Sequence, residues 1–503
     1  MIRIFTNSKE KELKNFWNHI VFHPTDAIED DWGKRILDKC AEDGAVKTVR
    51  IYTMFEDIFT LDESGNIKCD FELNDYRIDY LTSKGFNLLI AFTFLPEWLC
   101  ANLNSENKYS RTGKRYKGKT LYNTFPNDYS KWQELCRLYT EHLVKRYGED
   151  TVAGWRFSCY NEPDHPGFFY NDAPSNEARL AEYLKLYDGF EAGITSISRK
   201  IPIGGPALAE STENFEFFRL FLEHVKKNNR KLDFLSIHSY GTGPQGINTG
   251  LKPLDVNGAV HNTMTLVRIA KMCGFENIPI VCDEWGAATC GFYNIQECPG
   301  LMFRENEIYS AYFAKMISSF DEMNIPYDEM MICLSGQHEM TTDFSGYRNF
   351  FTLNFYPKPI YNAFVLAAKL GNEKLNFVVN NSHDHISVMP TRHPDGHISA
   401  LLAYADNRFI IDLPEIEVPI KFMGIDKKYN VKKYVIDKDH ANAITKYNEL
   451  GCPDNPTDEQ KEIIRDFGTL KCEDAETVSP DNDTLTLMMI NNAVVLLELF
   501  PAE

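Results

Sequence analysis

The chain has no Cys-x-x-Cys pair, no internal repeat, no low-complexity tract, and nowhere a run of about 18 apolar residues. Each absence closes off a class. Its 12 cysteines are scattered from Cys40 to Cys472, which argues against a zinc site and a dense disulfide framework and predicts buried, reduced thiols. Cys290 and Cys298 are close enough in sequence to pair in an oxidising compartment, and that alternative stays open. Without a long apolar run no membrane-crossing helix is expected. The first residues, Met1–Phe5 followed by Lys9-Glu10-Lys11-Glu12, lack the apolar stretch of an export signal. As it stands the chain reads as cytoplasmic; a signal cleaved beforehand would make it periplasmic or secreted. Positive charge is scarce as well: 53 Lys and Arg face 72 Asp and Glu, a formal net charge of -19. Phosphates are recognised by clustered cations, so nucleic acid and anionic membrane are disfavoured and a neutral ligand fits better.

What is present is a long alternation of strand and helix. Strand-like runs occur at 19–22, 47–52, 87–93, 156–160, 203–205, 234–240, 278–284 and 330–334. Helical periodicity lies between them at 31–43, 74–84, 129–147, 177–198, 214–226, 264–272 and 307–323, with a last helix at 360–370. In the 129–147 segment, Trp132, Leu135, Cys136, Tyr139 and Leu143 mark one buried face. Eight strands each followed by a helix predict an α/β fold, a (β/α)8 TIM barrel over residues 15–371. Beyond Gly371 short alternating runs broken by Asn, Asp, Gly and Pro predict an additional antiparallel β-sandwich over 372–503, interrupted by helical pieces near 440–450 and 457–467. The polar segment Ala101–Asn127 is too long for an idle connection and reads as an active-site loop.

Two of these strands end on an acid. Arg156–Tyr160 is stopped by Asn161-Glu162-Pro163, since proline cannot continue a central ladder. Ile278–Asp283 ends in Glu284-Trp285-Gly286. On the strand count these are the fourth and seventh strands, and catalytic groups of such barrels stand at strand C-termini. Two carboxylates delivered to one mouth form the arrangement of a glycosidase, with Glu162, beside the Asn161 amide, placed to give a proton to a substrate oxygen. The aromatic content of 13% agrees with a large core and with stacking on sugar faces. Other patterns carry less. Gly241-x-Gly-x-x-Gly246 follows a strand, yet Ile247–Gly250 and Pro253 deny the helix that a dinucleotide fingerprint needs. His238, Asp283, Glu162 and Glu284 form no tight metal motif, so neither metal nor cofactor is expected. His383 and His385 read as surface residues, and Asn380-Asn381-Ser382 as a glycosylation sequon relevant only to a secreted eukaryotic chain.

These segments resemble glycoside hydrolase family 39, which includes β-xylosidases and α-L-iduronidases. Tyr160-Asn161-Glu162-Pro163-Asp164-His165 resembles its acid/base segment, and Asp283-Glu284-Trp285 its nucleophile segment. Gly204–Ala207 and Asp233–Tyr240 are similar to its strands five and six. Tyr434–Asp437, His440–Ala443 and Gly451–Pro453 are similar to a late run of its xylosidase branch. Two positions depart from the xylosidases. Ile51-Tyr52 follows the strand-two arginine where a histidine is expected, and Tyr160 replaces the tryptophan before Asn-Glu-Pro. Both bear on the sugar pocket. The resemblance further implies that residues 1–14 join the C-terminal sandwich and that homo-oligomers occur in the family.

The expected activity is a retaining O-glycoside hydrolase acting on plant-type or other polysaccharide-derived oligosaccharides, β-xylosidase-like in the first place. Asn161 is expected to bond the sugar 2-hydroxyl, His238 and Tyr240 to orient Glu284, and Arg50 to keep it ionised; Tyr52, on the same strand as Arg50, is expected among the substrate-binding residues. Phe168, Phe169 and Trp285 are candidates for subsite walls. The alternatives are a carbohydrate-binding barrel without turnover, and a hydrolase of iduronidase-like or arabinosidase-like specificity. An acidic sugar needs a basic clamp, to which Lys and Arg of the 101–127 segment are possible contributors.

Overall fold

The structure, a computed structural model, describes residues 1–22, 28–104, 121–209, 214–289, 291, 293–335, 340–380 and 385–502. Eight parallel strands close into a barrel in chain order: His19–Phe22, Thr48–Tyr52, Asn87–Phe92, Arg156–Cys159, Ile203–Leu208, Phe234–Thr242, Ile280–Ala288 and Tyr327–Leu334. Closure is made where Met331 of the last strand pairs with His19 of the first. The strands are covered on both sides, by the barrel interior and by the helices, and accordingly read as nearly unbroken apolar runs.

Between them lie the predicted helices. Tyr129–Tyr147 starts where the Asp128 carboxylate accepts from the backbone N–H groups of Ser130 and Lys131, and it buries the five residues its spacing marked. Val256–Met272 begins well before the expected Met264. Gly258 reads as a breaker locally, but burial of Val256 and Val260 outweighs its helix penalty. A second difference concerns Pro244–Thr249, which is helical where the sequence argued against a helix. Pro244 opens it, the position where proline is tolerated, and Gly250 ends it in the left-handed conformation.

The second sheet has nine strands in the spatial order Cys472–Asp474, Tyr429–Ile436, Ala493–Pro501, Ile398–Tyr404, Ile386–Arg392, Glu373–Val379, Ile2–Glu12, Ile416–Met423 and Thr484–Met489. It is mixed rather than wholly antiparallel. Ile2–Glu12 runs antiparallel to Glu373–Val379 and parallel to Ile416–Met423. That strand is joined to neither partner through a hairpin, so no turn dictates its direction. Alternation splits the central strands between two cores: Ala400, Leu402, Val495 and Leu497 face the sheet's own core, whereas Leu401, Ala403, Val494 and Leu496 join the barrel's. The barrel contributes Glu307–Glu322 to that contact. Two helices, Ala443–Glu449 and Asp458–Gly468, interrupt the sheet as predicted, the second opened by a capping box between Thr457 and Gln460.

No helix among the described residues is long and apolar enough to cross a membrane. Most described cysteines are buried, but Cys69, Cys452 and Cys472 are exposed. Cys290, His383, Asn381, Ser382 and residues 105–120 of the expected active-site loop lie outside the described residues.

Candidate active site

On the second strand Arg50 and Tyr52 are two apart and so share the barrel's inner face. Arg50 is completely buried and works as a hub. Its Nη1 donates to Glu284 Oε1 at 2.6 Å and to Tyr52 Oη at 2.9 Å, and its Nη2 donates to Asn161 Oδ1 at 3.0 Å. Burial disfavours its charge, but Asp283, Tyr52 and Glu284 outweigh that cost and hold the guanidinium above its ordinary range. Tyr52 Oη lies 2.6 Å from Glu284 Oε1, to which it donates, and 3.2 Å from Asn161 Oδ1. Arginine has no acceptor, so the Asn161 oxygen must face it, which leaves the amide nitrogen as the group to offer a substrate hydroxyl.

The fourth strand ends in an irregular turn. Tyr160 at φ 66°, Glu162 at φ 50° and Ala207 at φ 51° are all left-handed without being glycine. The Glu162 N–H donates to Ala207 O at 2.9 Å, tying this turn to the end of the fifth strand. Backbone strain of this kind clusters at functional sites, because the surrounding structure must hold it. Here it aims Glu162 across the mouth.

The sixth strand supplies His238 and Tyr240, again two apart. Tyr240 Oη donates to Glu284 Oε2 at 2.7 Å, as expected of an orienting group. His238 differs from expectation. Its Nδ1 is 2.8 Å from Glu162 Oε1 and 3.8 Å from Glu284 Oε2, so it hydrogen-bonds the acid/base candidate and only neighbours the other carboxylate. The left-handed turn after strand four brings Glu162 over the imidazole, something alternation along strand six does not encode. Burial lowers the His238 pKa, yet Glu284, Glu162 and Asp283 together raise it above the ordinary value.

The seventh strand carries a β-bulge. Cys282 is opposite Ile237 and Glu284 is opposite His238, so Asp283 is the extra residue. Two successive acids therefore both meet the polar cluster: Asp283 Oδ2 is 3.2 Å from Arg50 Nε and its Oδ1 is 3.7 Å from His238 Nε2. Trp285 is then directed to the helices, stacked on Phe313 with ring centroids 5.8 Å apart and 1% exposed. The expectation that it walls a subsite is corrected by that placement. Phe169 is likewise core, fully buried against Tyr160 and Tyr183. Phe168 follows the fourth strand with its ring centroid 5.7 Å from that of His165.

One oxygen of Glu162, one oxygen of Glu284 and a His238 ring nitrogen all lie within 4.8 Å of one another. Such a triangle has the donor types of a cation site, but Glu284 already receives Arg50, Tyr52 and Tyr240, and the guanidinium opposes a second cation. Two buried carboxylates this close, each held by its own donors at the C-terminal mouth of a (β/α)8 barrel, define a glycoside hydrolase. The chain belongs to glycosyl hydrolases family 39, whose family model matches residues 1–483. It is 24% identical over 497 residues to a β-xylosidase of Caldicellulosiruptor saccharolyticus, covering 96% of this chain and 95% of that one. It is 22% identical over 442 residues to an α-L-iduronidase of Mus musculus, covering 78% of this chain and 65% of that one. A crystal structure of a monomeric β-xylosidase from Caulobacter crescentus superposes with a TM-score of 0.82 at 20% identity, covering 100% of this chain and 99% of that one.

Sequence reasoning missed the placement of Asp283 and the presence of Arg348. Asp283 had a signal: two consecutive acids inside an apolar strand cannot alternate comfortably unless the strand bulges. Arg348 lies in the connection after strand eight and had none.

Proposed function

We propose that this family 39 hydrolase cleaves β-linked neutral pentosides with net retention, in the manner of a β-xylosidase. The supporting observation is the closeness of the two acids, within 4.8 Å between one oxygen of each. Retaining enzymes hold their carboxyl groups about 5–5.5 Å apart, whereas inverting ones leave about 6.5–9.5 Å for a water. In the first step Glu284 attacks the anomeric carbon and Glu162 gives its proton to the departing glycosidic oxygen, leaving a glycosyl ester on Glu284. In the second, Glu162 takes a proton from water, whose oxygen attacks the same carbon and expels Glu284. Asn161 bonds the sugar 2-hydroxyl, a contact that strengthens as positive charge develops on the ring.

A neutral sugar is favoured over a uronate because Arg50 and Arg348, the arginines around Glu284 among the described residues, are both engaged by protein groups. A panel of aryl glycosides, with the product anomer followed by NMR, tests the reading. The expected result is turnover of aryl β-xylosides with the β-anomer formed first. First appearance of the inverted anomer removes the double displacement, and preference for an aryl iduronide moves the specificity to the acidic branch. Binding without hydrolysis of any glycoside favours a non-catalytic barrel.

A further inference from the structure

Tyr240 has two charged partners. Arg348 Nη1 donates to Tyr240 Oη at 2.6 Å, and the same hydroxyl donates to Glu284 Oε2 at 2.7 Å. A guanidinium has only donors. The Tyr240 oxygen must therefore spend a lone pair on Arg348, and its single proton is left to a strong acceptor. The competing acceptor beside it is the Cys333 sulfur, far weaker than a carboxylate. The hydroxyl proton is thus committed to Glu284.

Arg348 is itself fixed. Its Nε donates to Ser335 Oγ at 3.0 Å, and the Ser335 N–H donates to Arg348 O at 2.7 Å. Its guanidinium lies against the backbone of Gly291, where a Cβ would stand 2.0 Å from Nη2 and 2.7 Å from Cζ. Glycine here leaves room for a charged group and serves no unusual dihedral. The cation is 7% exposed, so its field is weakly screened.

We propose that Arg348, seated by Ser335 and Gly291, is a positioning residue for the nucleophile: it locks the Tyr240 hydroxyl toward Glu284 and so keeps that carboxylate ionised and aimed. The inference rests on the glycosidase reading with Glu284 as nucleophile. Arg348→Met is expected to lower kcat/KM about 10- to 100-fold on the best aryl glycoside, the loss of one or two charge-assisted hydrogen bonds. The acid limb of its pH profile moves to higher pH, because a cation and a hydrogen bond favouring the ionised acid are gone. In a Tyr240→Phe background the same substitution costs under about threefold, since there is no hydroxyl left to direct. Arg348→Lys recovers part of the rate. Gly291→Ala, which changes no polar group, reproduces the rate loss and the acid-limb shift, and it serves if Arg348→Met does not fold. Equal losses from Arg348→Met with and without Tyr240, or an unmoved acid limb in variants that unfold at the wild-type temperature, overturn the proposal. Wild-type protein that hydrolyses no aryl glycoside overturns instead the reading beneath it.

Discussion

Each end of the barrel buries a histidine among charges, and the two answer their surroundings in opposite ways. At the C-terminal mouth His238 faces Glu162, Glu284 and Asp283, and its pKa is raised. At the N-terminal floor His19 is 4% exposed, and burial, with Lys47 and Arg156 nearby, outweighs the one carboxylate facing it, Glu329, and lowers it to about 4. Desolvation pushes both down; the number of carboxylates decides the sign. The floor is otherwise self-contained. Arg156 pairs with Asp328 and, at 2.8 Å, with Glu329, which also accepts from Thr48 Oγ1 at 2.9 Å. Its cavity of about 670 Å³ has cations matched by anions, Lys14, Lys47 and Arg156 against Asp233, Asp328 and Glu329. At the mouth three acids have one arginine and one histidine in direct contact, Arg348 reaching Glu284 only through Tyr240, and that imbalance suits a site where a proton must move. Polar burial alone therefore does not distinguish scaffold from site, whereas unequal pairing does.

The comparison breaks hardest at the acids. Glu284→Ala is expected to lose on the order of 10⁴-fold or more in kcat, while replacing Glu329 by Gln on the floor leaves kcat within about threefold; steady-state rates check both. Glu162→Ala spares substrates with good leaving groups in the first step and loses about 10²- to 10⁴-fold on poor ones. A loss independent of leaving group takes the acid role from Glu162. Asp283→Asn removes an anion near both active carboxylates and leaves Glu284 as the one acid paired with Arg50. Both limbs of the kcat/KM profile are then expected to move to lower pH, with a bell displaced upward as the contrary result.

The smallest effect is read in stability. His19 is held neutral, so the unfolded chain binds more protons between about pH 4 and 6.5, and folding loses on the order of 3 kcal/mol from this group as pH falls through that window. Its removal in His19→Leu flattens the fall of Tm in acid. His238 has the raised pKa, so its contribution is full below the unfolded value near 6.5 and fades as pH rises through the folded one. His238→Asn therefore loses most stability relative to wild type at low pH, and a Tm series across pH compares the two.

Much of this was legible beforehand. The eight strands, their order and the acids carried by the fourth and seventh follow from period, punctuation and strand count, because each is a local property; the end of the seventh does not, since its ladder runs on past Glu284 to Ala288. Arg50, Tyr52 and Tyr240 were legible too, since residues two apart on a strand share a face. What escaped depends on departures from regularity. The bulge that turns Asp283 inward and Trp285 outward resets the alternation, and the left-handed turn at Glu162 gives His238 to the acid/base candidate. Arg348 approaches through a long connection, and no periodicity reports what such a segment touches.

The strand Ile2–Glu12 sits between partners far along the chain, Ile2 beside both Val379 and Ile420. During synthesis these residues must wait unpaired while more than three hundred others leave the ribosome, so the barrel has time to close before the second sheet is stitched together across them. A chain shortened at its front would then keep a barrel able to form while splitting that sheet into a six-stranded and a two-stranded piece, each with a raw edge ready to recruit a neighbour.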